Sequence, residues 1–254
     1  MRYFIFIQYN GSNYYGIQHQ KKGITIQEVL EKNLKKLFKI NITITISSRT
    51  DSGVHALKNC IHIDLPFNIN REIIKNALNK MLPNDICILN IEPVIDSAHC
   101  RFSAIKREYK YIITNHKNVF KIGYNYDNFN NLNIEKMNEV AHYLTEGNNE
   151  KCFKTFCKEN HTEKHDYKCI IYESFWSFVD NEYIFTISAN RFLHNLIRSL
   201  VMAMIYVGIG KITFEDFKQR LLSEDRNKNL GLAPANGLIL TDIDYNNEIY
   251  FYNN

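Results

Sequence analysis

The chain has 254 residues, which is enough for one large domain or two small ones whose cores are stable without disulfides or metals. Apolar residues make up 45% and charged residues 23% of the sequence, and these average proportions exclude a disordered or fibrous protein. The net charge of +4 is too small to indicate a nucleic-acid partner by itself, so local patterns have to decide.

The cysteines and the apolar runs predict an intracellular protein. The 6 cysteines form no CxxC pair, and the longest early apolar run, residues 3–7, is far too short for a signal sequence or a membrane span. We therefore expect reduced thiols, a cytoplasmic location and no contact with a membrane.

The first half of the chain predicts a β-α-β-β-α-β series. Thr25 and Glu28 form a capping-box pattern in front of apolar residues at helical spacing, which predicts a helix up to about Lys39. A second helix is predicted over residues 70–81. Runs rich in β-branched and aromatic residues predict strands over residues 3–7, 42–46, 60–65 and 86–94.

The pattern restarts after Pro93. Helices are predicted from Ile134, over residues 191–207, and after Thr213, which forms a capping box with Asp216. Strands joined by helices in two similar halves predict an α+β protein. The strands of this second half are predicted over residues 107–114, 168–179, 182–189 and 238–245.

The segment from Ser47 to Ala56 lies between two predicted strands and combines ionisable, hydroxyl and flexible residues. Loops at strand ends are where rigid scaffolds usually present catalytic groups, and Asp51 is the candidate here. Asp-Ser-Gly is also common turn sequence, in which Asp binds backbone amides and Gly supplies a positive φ. The composition of the loop alone favours this structural interpretation.

Five segments together resemble the tRNA pseudouridine synthase A family, also called the TruA type. Residues 49–56 read RTDSGVHA and resemble the family signature RTDxGVHA. Five matches in the family's order over nearly the whole chain are hard to assemble by accident. The other four are residues 9–16 (YNGSNYYG), 100–111 (CRFSA and REYKY), 190–198 (NRFLHNLIR) and 233–238 (APANGL).

The resemblance implies the pseudouridine synthase fold, which is α+β. Two similar ferredoxin-like or RRM-like halves form a continuous, mostly antiparallel sheet flanked by helices, with a cleft between the halves. We expect an N-terminal half over residues 1–100 that carries the catalytic loop. The C-terminal half, residues 101–254, is expected to carry the strand of Tyr109 and the helix of Arg198.

The resemblance further implies an isomerase that converts uridine to pseudouridine in the anticodon stem-loop of tRNA, at the family's positions 38, 39 and 40. The reaction rearranges one nucleotide without net redox change, so no cofactor is expected. The expected partners are tRNA, contacted through its anticodon stem-loop and body, and a second copy of the chain in a homodimer.

By this resemblance Asp51 is the nucleophile or base that breaks the bond between uracil N1 and the ribose. A carboxylate near an apolar cleft stays ionised only if a cation offsets the desolvation that raises its pKa, and Arg198 is the expected cation. In the predicted helix, residues 191, 194, 195, 198 and 202 share one largely polar stripe, which favours a cleft wall. The alternative is an Arg198 that simply reaches solvent.

The resemblance also assigns residues that bind the substrate. Tyr109 is expected to stack on the target base and to be a candidate for handling the C5 proton, although alternation with Tyr111 on a strand equally predicts core packing. Arg49 is expected to occupy the space of the displaced nucleotide, and its alternative is a surface contact to phosphate. Further support is expected from Thr50, Gly53, His55 and Leu238, with His55 bracing the loop rather than transferring protons.

Two positions depart from the family pattern. Ile17 stands where the family commonly has Trp, and Ser199 stands where Asn is usual. Both departures bear on the fit of the substrate rather than on the class of reaction.

Cys152, Cys157, His161 and His165 give the spacing C-x4-C-x3-H-x3-H, which contains the residue types of a zinc site. Recognised zinc modules place a longer loop between their ligand pairs, so we expect no metal here. The interleaved Lys and His residues instead favour a basic loop that contacts RNA phosphates.

Two other functions remain as alternatives. One is a non-catalytic RNA-binding protein or RNA chaperone on the same fold, which is less favoured because Arg49, Asp51, Tyr109 and Arg198 are all retained. The other is an aspartate-dependent nucleoside hydrolase, which is disfavoured because the sequence contains neither a phosphate-binding loop nor a recognised metal cluster.

Overall fold

The computed structural model describes residues 1–114, 132–147, 150–158 and 166–251. These residues form strands and helices in the α+β class that the sequence predicts. None of the described helices is both long enough and apolar enough to span a bilayer. The strands are β1 (Arg2–Tyr9), β2 (Thr45–Ile46), β3 (His55–Asp64), β4 (Ile86–Val94), β5 (Ala104–Thr114), β6 (Glu150–Cys152), β7 (Lys168–Val179), β8 (Glu182–Ala189) and β9 (Leu238–Tyr245). The helices are α1 (Ile26–Phe38), α2 (Arg71–Met81), α3 (Ile134–Tyr143), α4 (Leu196–Gly208) and α5 (Phe214–Ser223).

The chain divides into two compact units. Unit 1 comprises Met1–Arg107 and Ile239–Asn254, and unit 2 comprises Glu108–Leu238. The C-terminal segment Ile239–Asn254 therefore belongs to the same compact unit as Met1–Arg107.

In unit 1, β1 lies between β3 and β4 and pairs antiparallel with both. β2 also pairs antiparallel with β3, whereas the start of β9 pairs with β3 in parallel, with His55 opposite Ile239. Residues 3–7 of β1 are all buried. A strand in the middle of a sheet that is covered on both faces loses the alternation of apolar and polar residues, which explains this continuous apolar run.

In unit 2, β7 and β8 form an antiparallel hairpin. Its turn residues, Asp180 and Asn181, both have positive φ, 53° and 63°, and consecutive residues of this kind match the twist of hairpin strands. Asn138 of α3 fixes the helix to β7, because its side chain accepts the Trp176 N–H (2.7 Å) and donates to the Trp176 carbonyl (3.0 Å). α4 is almost entirely buried, in agreement with its apolar sequence.

Several predicted boundaries are wrong. α4 begins at Leu196 rather than at Arg191, because Asn195 has φ 68° and this left-handed conformation prevents a helix from continuing through it. β2 spans two residues instead of 42–46, although Ile42 and Ile44 are buried as a strand would bury them. β3 begins at His55 instead of residue 60, so the predicted loop is shorter than its sequence suggests.

Candidate active site

The candidate loop in unit 1 connects β2 to β3 and includes Asp51. Asp51 is partly buried, Arg49 is exposed and Thr50 is buried. The Val54 N–H donates to the Asp51 carbonyl (3.2 Å), and this turn passes through Gly53, whose φ is +81°. Only glycine adopts such a φ without strain, and this explains why the loop has glycine at position 53.

Thr50, next to Asp51, is held through both its side chain and its backbone. Its Oγ1 shares a hydrogen bond of 2.7 Å with the Tyr9 hydroxyl, and its carbonyl accepts the Ile17 N–H at 3.2 Å. The side chain of Asn59, which is fully buried, donates to both the Tyr9 hydroxyl (3.0 Å) and the Ser48 carbonyl (2.9 Å). Buried polar groups that satisfy one another fix a loop in one conformation.

Two glycines allow the segment after β1 to approach this loop. A Cβ on Gly11 would lie 2.0 Å from the Val54 carbonyl oxygen, and a Cβ on Gly16 would lie 2.9 Å from the Thr50 carbonyl oxygen. Gly16 also has φ +85°. Neither position accepts a side chain without a shift of the backbone, so both glycines are needed for the observed contact.

The segment after β1 is itself anchored. The Tyr14 hydroxyl donates to Asp85 at 2.5 Å, and burial together with this carboxylate raises the pKa of Tyr14, so the phenol stays protonated as a donor. The Tyr14 carbonyl in turn accepts a hydrogen bond from the Ser52 hydroxyl (3.1 Å). The residue on each side of Asp51 is therefore tied to the same segment.

His55 follows the loop as the first residue of β3 and is buried. Its Nδ1 accepts the backbone N–H of Gly11 at 3.1 Å. An imidazole that accepts through Nδ1 is neutral and carries its proton on Nε2. In this arrangement His55 braces the loop against the segment after β1.

Tyr109 and Tyr111 lie on the same face of β5 in unit 2, as strand alternation predicts, and both are buried. The Tyr109 ring packs edge-on against Phe192, with ring centroids 5.3 Å apart. The Tyr111 hydroxyl donates to the Pro234 carbonyl at 2.9 Å, and a Cβ on Gly237 would lie 2.6 Å from this ring.

Arg198 lies on the first turn of α4 and is partly buried. Its Nε donates to the Ala233 carbonyl (2.7 Å), and its own carbonyl accepts the Ala233 N–H (3.1 Å). These two bonds fix both the backbone and the guanidinium plane relative to the segment before β9. Leu238, the first residue of β9, is buried.

The prediction of a polar stripe on the helix that carries Arg198 is wrong. Arg191, His194 and Asn195 precede α4 and so cannot share a helical face with Arg198, and Met202 is buried. The position of Arg198 instead follows from its paired hydrogen bonds to Ala233.

The comparison with known proteins decides the family. The sequence profile of a family described as tRNA pseudouridine synthase matches residues 5–103 and 146–246. A tRNA pseudouridine synthase A of Azobacteroides pseudotrichonymphae is 40% identical over 249 residues, which cover 98% of each chain. The enzyme of that name from Bacteroides thetaiotaomicron is 36% identical, over 98% of this chain and 92% of its own. The one from Bacillus subtilis is 38% identical, over 95% of this chain and 98% of its own. The chain belongs to the tRNA pseudouridine synthase A family. The predicted family and class of enzyme, an isomerase, are therefore confirmed.

The two departures from the pattern of the tRNA pseudouridine synthase A family have local explanations. Ile17 is fully buried, and its backbone N–H holds Thr50. Ser199 is also fully buried, and its hydroxyl accepts a hydrogen bond from the Asn229 side chain (3.2 Å), which donates as well to the Thr155 carbonyl (3.1 Å). Both residues fit the packing of their own unit.

The tRNA pseudouridine synthase A signature does not reveal all the residues that hold the Asp51 loop in place. Arg49, Thr50, Asp51, Gly53 and His55 belong to unit 1, whereas Tyr109, Arg198 and Leu238 belong to unit 2. The sequence alone predicts no role for Tyr9, Asn59 or Ala233. Tyr9 and Ala233 lie in segments that match the family, so the matches themselves were a signal, whereas nothing in the sequence distinguishes Asn59.

The sequence pattern and the described part of the structure each give one group of residue types that bind metals. Cys152 and Cys157 have pKa values raised by burial, and the His161 and His165 of the predicted pattern lie outside the described residues. His62, His99 and Cys100 have ligand atoms within 4.8 Å of one another. Both imidazole Nδ1 atoms accept backbone N–H groups, the Cys100 thiol donates to the Thr45 carbonyl, and burial raises the pKa of that thiol to about 12. These atoms are committed to hydrogen bonds and offer a cation no ready thiolate.

Proposed function

We propose that this protein converts uridine to pseudouridine in tRNA and that Asp51 is its catalytic residue. The bond between uracil N1 and ribose C1′ breaks, the base turns, and a bond forms between C5 and C1′. The proton lost from C5 balances the proton gained at N1, so the reaction needs no cofactor. Membership of the family supports the reaction, and the rigid support of the loop around Asp51 supports the assignment of the residue.

The carboxylate of Asp51 suits this chemistry because the residue is partly buried on a loop with fixed neighbours. A catalytic group acts efficiently only if its position is set to within a fraction of an ångström, and hydrogen-bonded supporting residues provide this. Thr50 and Ser52, on either side, have such partners in Tyr9 and in Tyr14. This support on both sides carries the proposal.

We propose substrate-binding roles for three further residues. Tyr109 has a flat ring that can stack on a base and a hydroxyl that can handle a proton. Arg49 is exposed and can enter the space that an extruded nucleotide leaves. Arg198 presents a guanidinium oriented through its Nε bond to Ala233, suited to the substrate's negatively charged or carbonyl oxygens.

The expected substrate region is the anticodon stem-loop of tRNA, with contacts to the tRNA body. Recognition of a structured RNA rests mainly on backbone shape and phosphate contacts.

We further propose that the protein works as a homodimer in the cytoplasm. Sedimentation equilibrium of the free protein tests the homodimer, and a mass of one chain would refute it.

Release of tritium from tRNA labelled at C5 of uridine tests the reaction. The wild-type protein is expected to release tritium without releasing free uracil, and Asp51→Ala is expected to release none while keeping its affinity for tRNA. Asp96→Ala, which removes an exposed carboxylate of the same unit outside this loop, is the matched control and is expected to retain activity. Binding without tritium release by the wild type would favour a non-catalytic RNA-binding protein, and free uracil would favour a hydrolase.

A further inference from the structure

Residues 98–103 are the last part of the connection between β4 and β5 in unit 1, and we call them the 98–103 loop. The N–H of Ser103 donates to the His99 carbonyl (2.8 Å), and the Ser103 hydroxyl accepts the His99 N–H (2.9 Å). The Nδ1 of His99 lies 3.1 Å from the N–H nitrogen of Arg101 and 3.4 Å from that of Phe102 and accepts from both. The loop therefore satisfies most of its own backbone groups and is rigid.

The 98–103 loop is also anchored to the unit beneath it. The guanidinium of Arg107, which is buried, donates to the Arg101 carbonyl at 2.5 Å. The Cys100 N–H donates to His62 Nδ1 (3.2 Å), and the Cys100 carbonyl accepts from the Tyr245 hydroxyl (2.6 Å). Partners from three separate parts of the sequence thus fix one short loop.

This rigid loop presents a phenylalanine to solvent. The side chain of Phe102 is 76% exposed. The ring of His99 lies on one part of it, with centroids 4.4 Å apart, and the guanidinium carbon of Arg101 lies 5.6 Å from its centroid. An exposed ring contributes little to folding, so a loop with this many fixed bonds has no structural need for it.

The chemistry of the three side chains points to a nucleobase. Aromatic rings and guanidinium planes are the groups on which unpaired bases stack, and a cation beside the ring also attracts phosphate. The 98–103 loop contains no carboxylate that would repel RNA. A docking site for an apolar protein surface would instead present a contiguous apolar patch without a charge at its centre.

The 98–103 loop is connected to the loop of Asp51 within the same unit. The Tyr245 hydroxyl that lies 2.6 Å from the Cys100 carbonyl also lies 3.1 Å from Ser47 Oγ, at the start of the Asp51 loop. The Cys100 thiol donates to the Thr45 carbonyl at 3.3 Å. A base held by Phe102 is therefore held on the same rigid scaffold as the proposed catalytic residue.

We propose that Phe102, flanked by His99 and Arg101, is a stacking platform for one unpaired nucleobase of the tRNA substrate. This inference rests on the proposed function for the identity of the RNA. The proposed binding site can be tested independently of Asp51, because the platform takes no part in breaking or forming a bond.

Binding of unmodified tRNA transcript to Phe102→Ala and Phe102→Trp tests the platform. Stacking on an aromatic side chain is lost in the Ala variant, so its Kd should rise about 5- to 100-fold, with a matching rise in KM and little change in kcat. The Trp variant should bind as tightly as the wild type. The Tm should stay unchanged in both, because the side chain is exposed and its removal leaves no cavity.

Fluorescence of the Trp variant gives a second measurement. The native Trp176 is buried and provides a constant background. The indole in Phe102→Trp should be quenched when tRNA binds. Phe67→Trp is the matched control, because Phe67 is an aromatic residue of the same unit that is 43% exposed. Its ring packs on Phe38, and none of the described residues places a cation over it. Its fluorescence should not change.

Three results would overturn the platform. The first is wild-type affinity of Phe102→Ala for tRNA, and the second is equal quenching of both indoles. The third is a change of molecular mass of Phe102→Ala in solution, which would assign the ring to contact with a second copy of the chain. Failure of the proposed function differs from all three, because the wild-type protein would then bind tRNA through Phe102 and form no pseudouridine.

Discussion

Gly16 allows two backbone segments to meet beside the proposed catalytic residue, and it has two reasons to be glycine. Its φ is +85°, and a Cβ would lie 2.9 Å from the Thr50 carbonyl oxygen. Gly210 shares the positive φ, +74°, but a Cβ there would meet nothing within 4 Å. Substitutions at Gly16 and Gly210 can therefore distinguish the cost of backbone strain, which both share, from the cost of steric contact, which only Gly16 has.

Gly16→Ala should lower the free energy of unfolding by at least about 2 kcal/mol, whereas Gly210→Ala should lower it by about 1 kcal/mol. Gly16→Ala should also reduce pseudouridine formation, because the carbonyl that must move belongs to the neighbour of Asp51. Urea unfolding and single-turnover assays of both variants measure these effects. Equal stability losses in the two proteins would show that the close approach to Thr50 has no energetic weight.

His62 makes the stability of unit 1 depend on pH. Burial, and then the positive charge of Arg2, lower the pKa of His62 to about 4 from an ordinary value of 6.5. Between these values the unfolded chain binds a proton that the folded chain does not, so the free energy of unfolding falls as the pH decreases from about 6.5 to about 4. The loss attributable to His62 is at most about 3 kcal/mol.

His62→Asn should remove this part of the pH dependence. Its amide oxygen can still accept the Cys100 N–H that His62 Nδ1 accepts, and it does not titrate. Urea unfolding of wild type and variant at pH 7 and at pH 4.5 provides the comparison. A variant that loses as much stability as the wild type on acidification would contradict the assignment to His62.

At the scale of an element, the N-terminus of α1 supports the Asp51 loop through an intermediate segment. The N–H groups of Ile26 and Gln27 donate to the Gly16 and Ile17 carbonyls (3.3 and 2.9 Å), and the Ile17 N–H donates to Thr50. These helical N–H groups have no partner inside the helix, so the segment satisfies them while it holds the loop. The capping box of Thr25 fixes this end of the helix.

Thr25→Ala should lower the free energy of unfolding by about 1–2 kcal/mol and kcat by about tenfold, because the cap is buried and the helix end aligns the loop. Thr213 forms the same capping box on α5, at an exposed position. Thr213→Ala should cost about 1 kcal/mol and leave kcat unchanged. Thermal unfolding and steady-state turnover of the two variants measure these effects on stability and kcat. An unchanged kcat in Thr25→Ala would show that the helix end does not align the loop.

At the scale of the whole molecule, unit 1 is completed by the last segment of the chain. Ile239, Leu240, Ile243 and Tyr245 of β9 are all buried. Each buried apolar side chain of this size contributes about 1.5–3 kcal/mol, so their sum is comparable with the entire stability of a domain.

A chain that ends at residue 238 should therefore fail to form a cooperative unit 1. Near-UV circular dichroism and limited proteolysis of the N-terminal unit report the loss. The control is a chain that ends at residue 251, which keeps all of β9 and should stay folded. A stable, protease-resistant N-terminal unit in the shorter chain would contradict the division of the molecule described here.

Local signals in the sequence predict many of the elements. The capping boxes of Thr25 and Thr213 mark helix starts, and Asp180-Asn181 marks a hairpin whose strands have the bounds that the sequence predicts. These signals succeed because the residues that create them are close together in the chain. The start of α4 fails because the sequence does not show that Asn195 adopts a left-handed conformation.

The support of the candidate site depends on contacts between distant residues. Gly11 meets Val54 and Asn59 joins Ser48 to Tyr9, and neither contact leaves a periodic pattern in the sequence. The signature at residues 49–56 predicts which loop matters, and the three-dimensional contacts give the reason that the loop is rigid. The return of β9 to unit 1 is likewise a matter of topology.

The proposed role of the carboxylate at position 51 can be tested by mapping pseudouridine in tRNA from cells. The cells lack this gene and receive either wild type or Asp51→Asn. The Asn variant keeps the size of the side chain and removes only its charge. We predict that wild type restores pseudouridine on the 3′ side of the anticodon stem-loop and that Asp51→Asn, present at equal abundance, restores none. Restoration by Asp51→Asn would show that the reaction does not need this carboxylate.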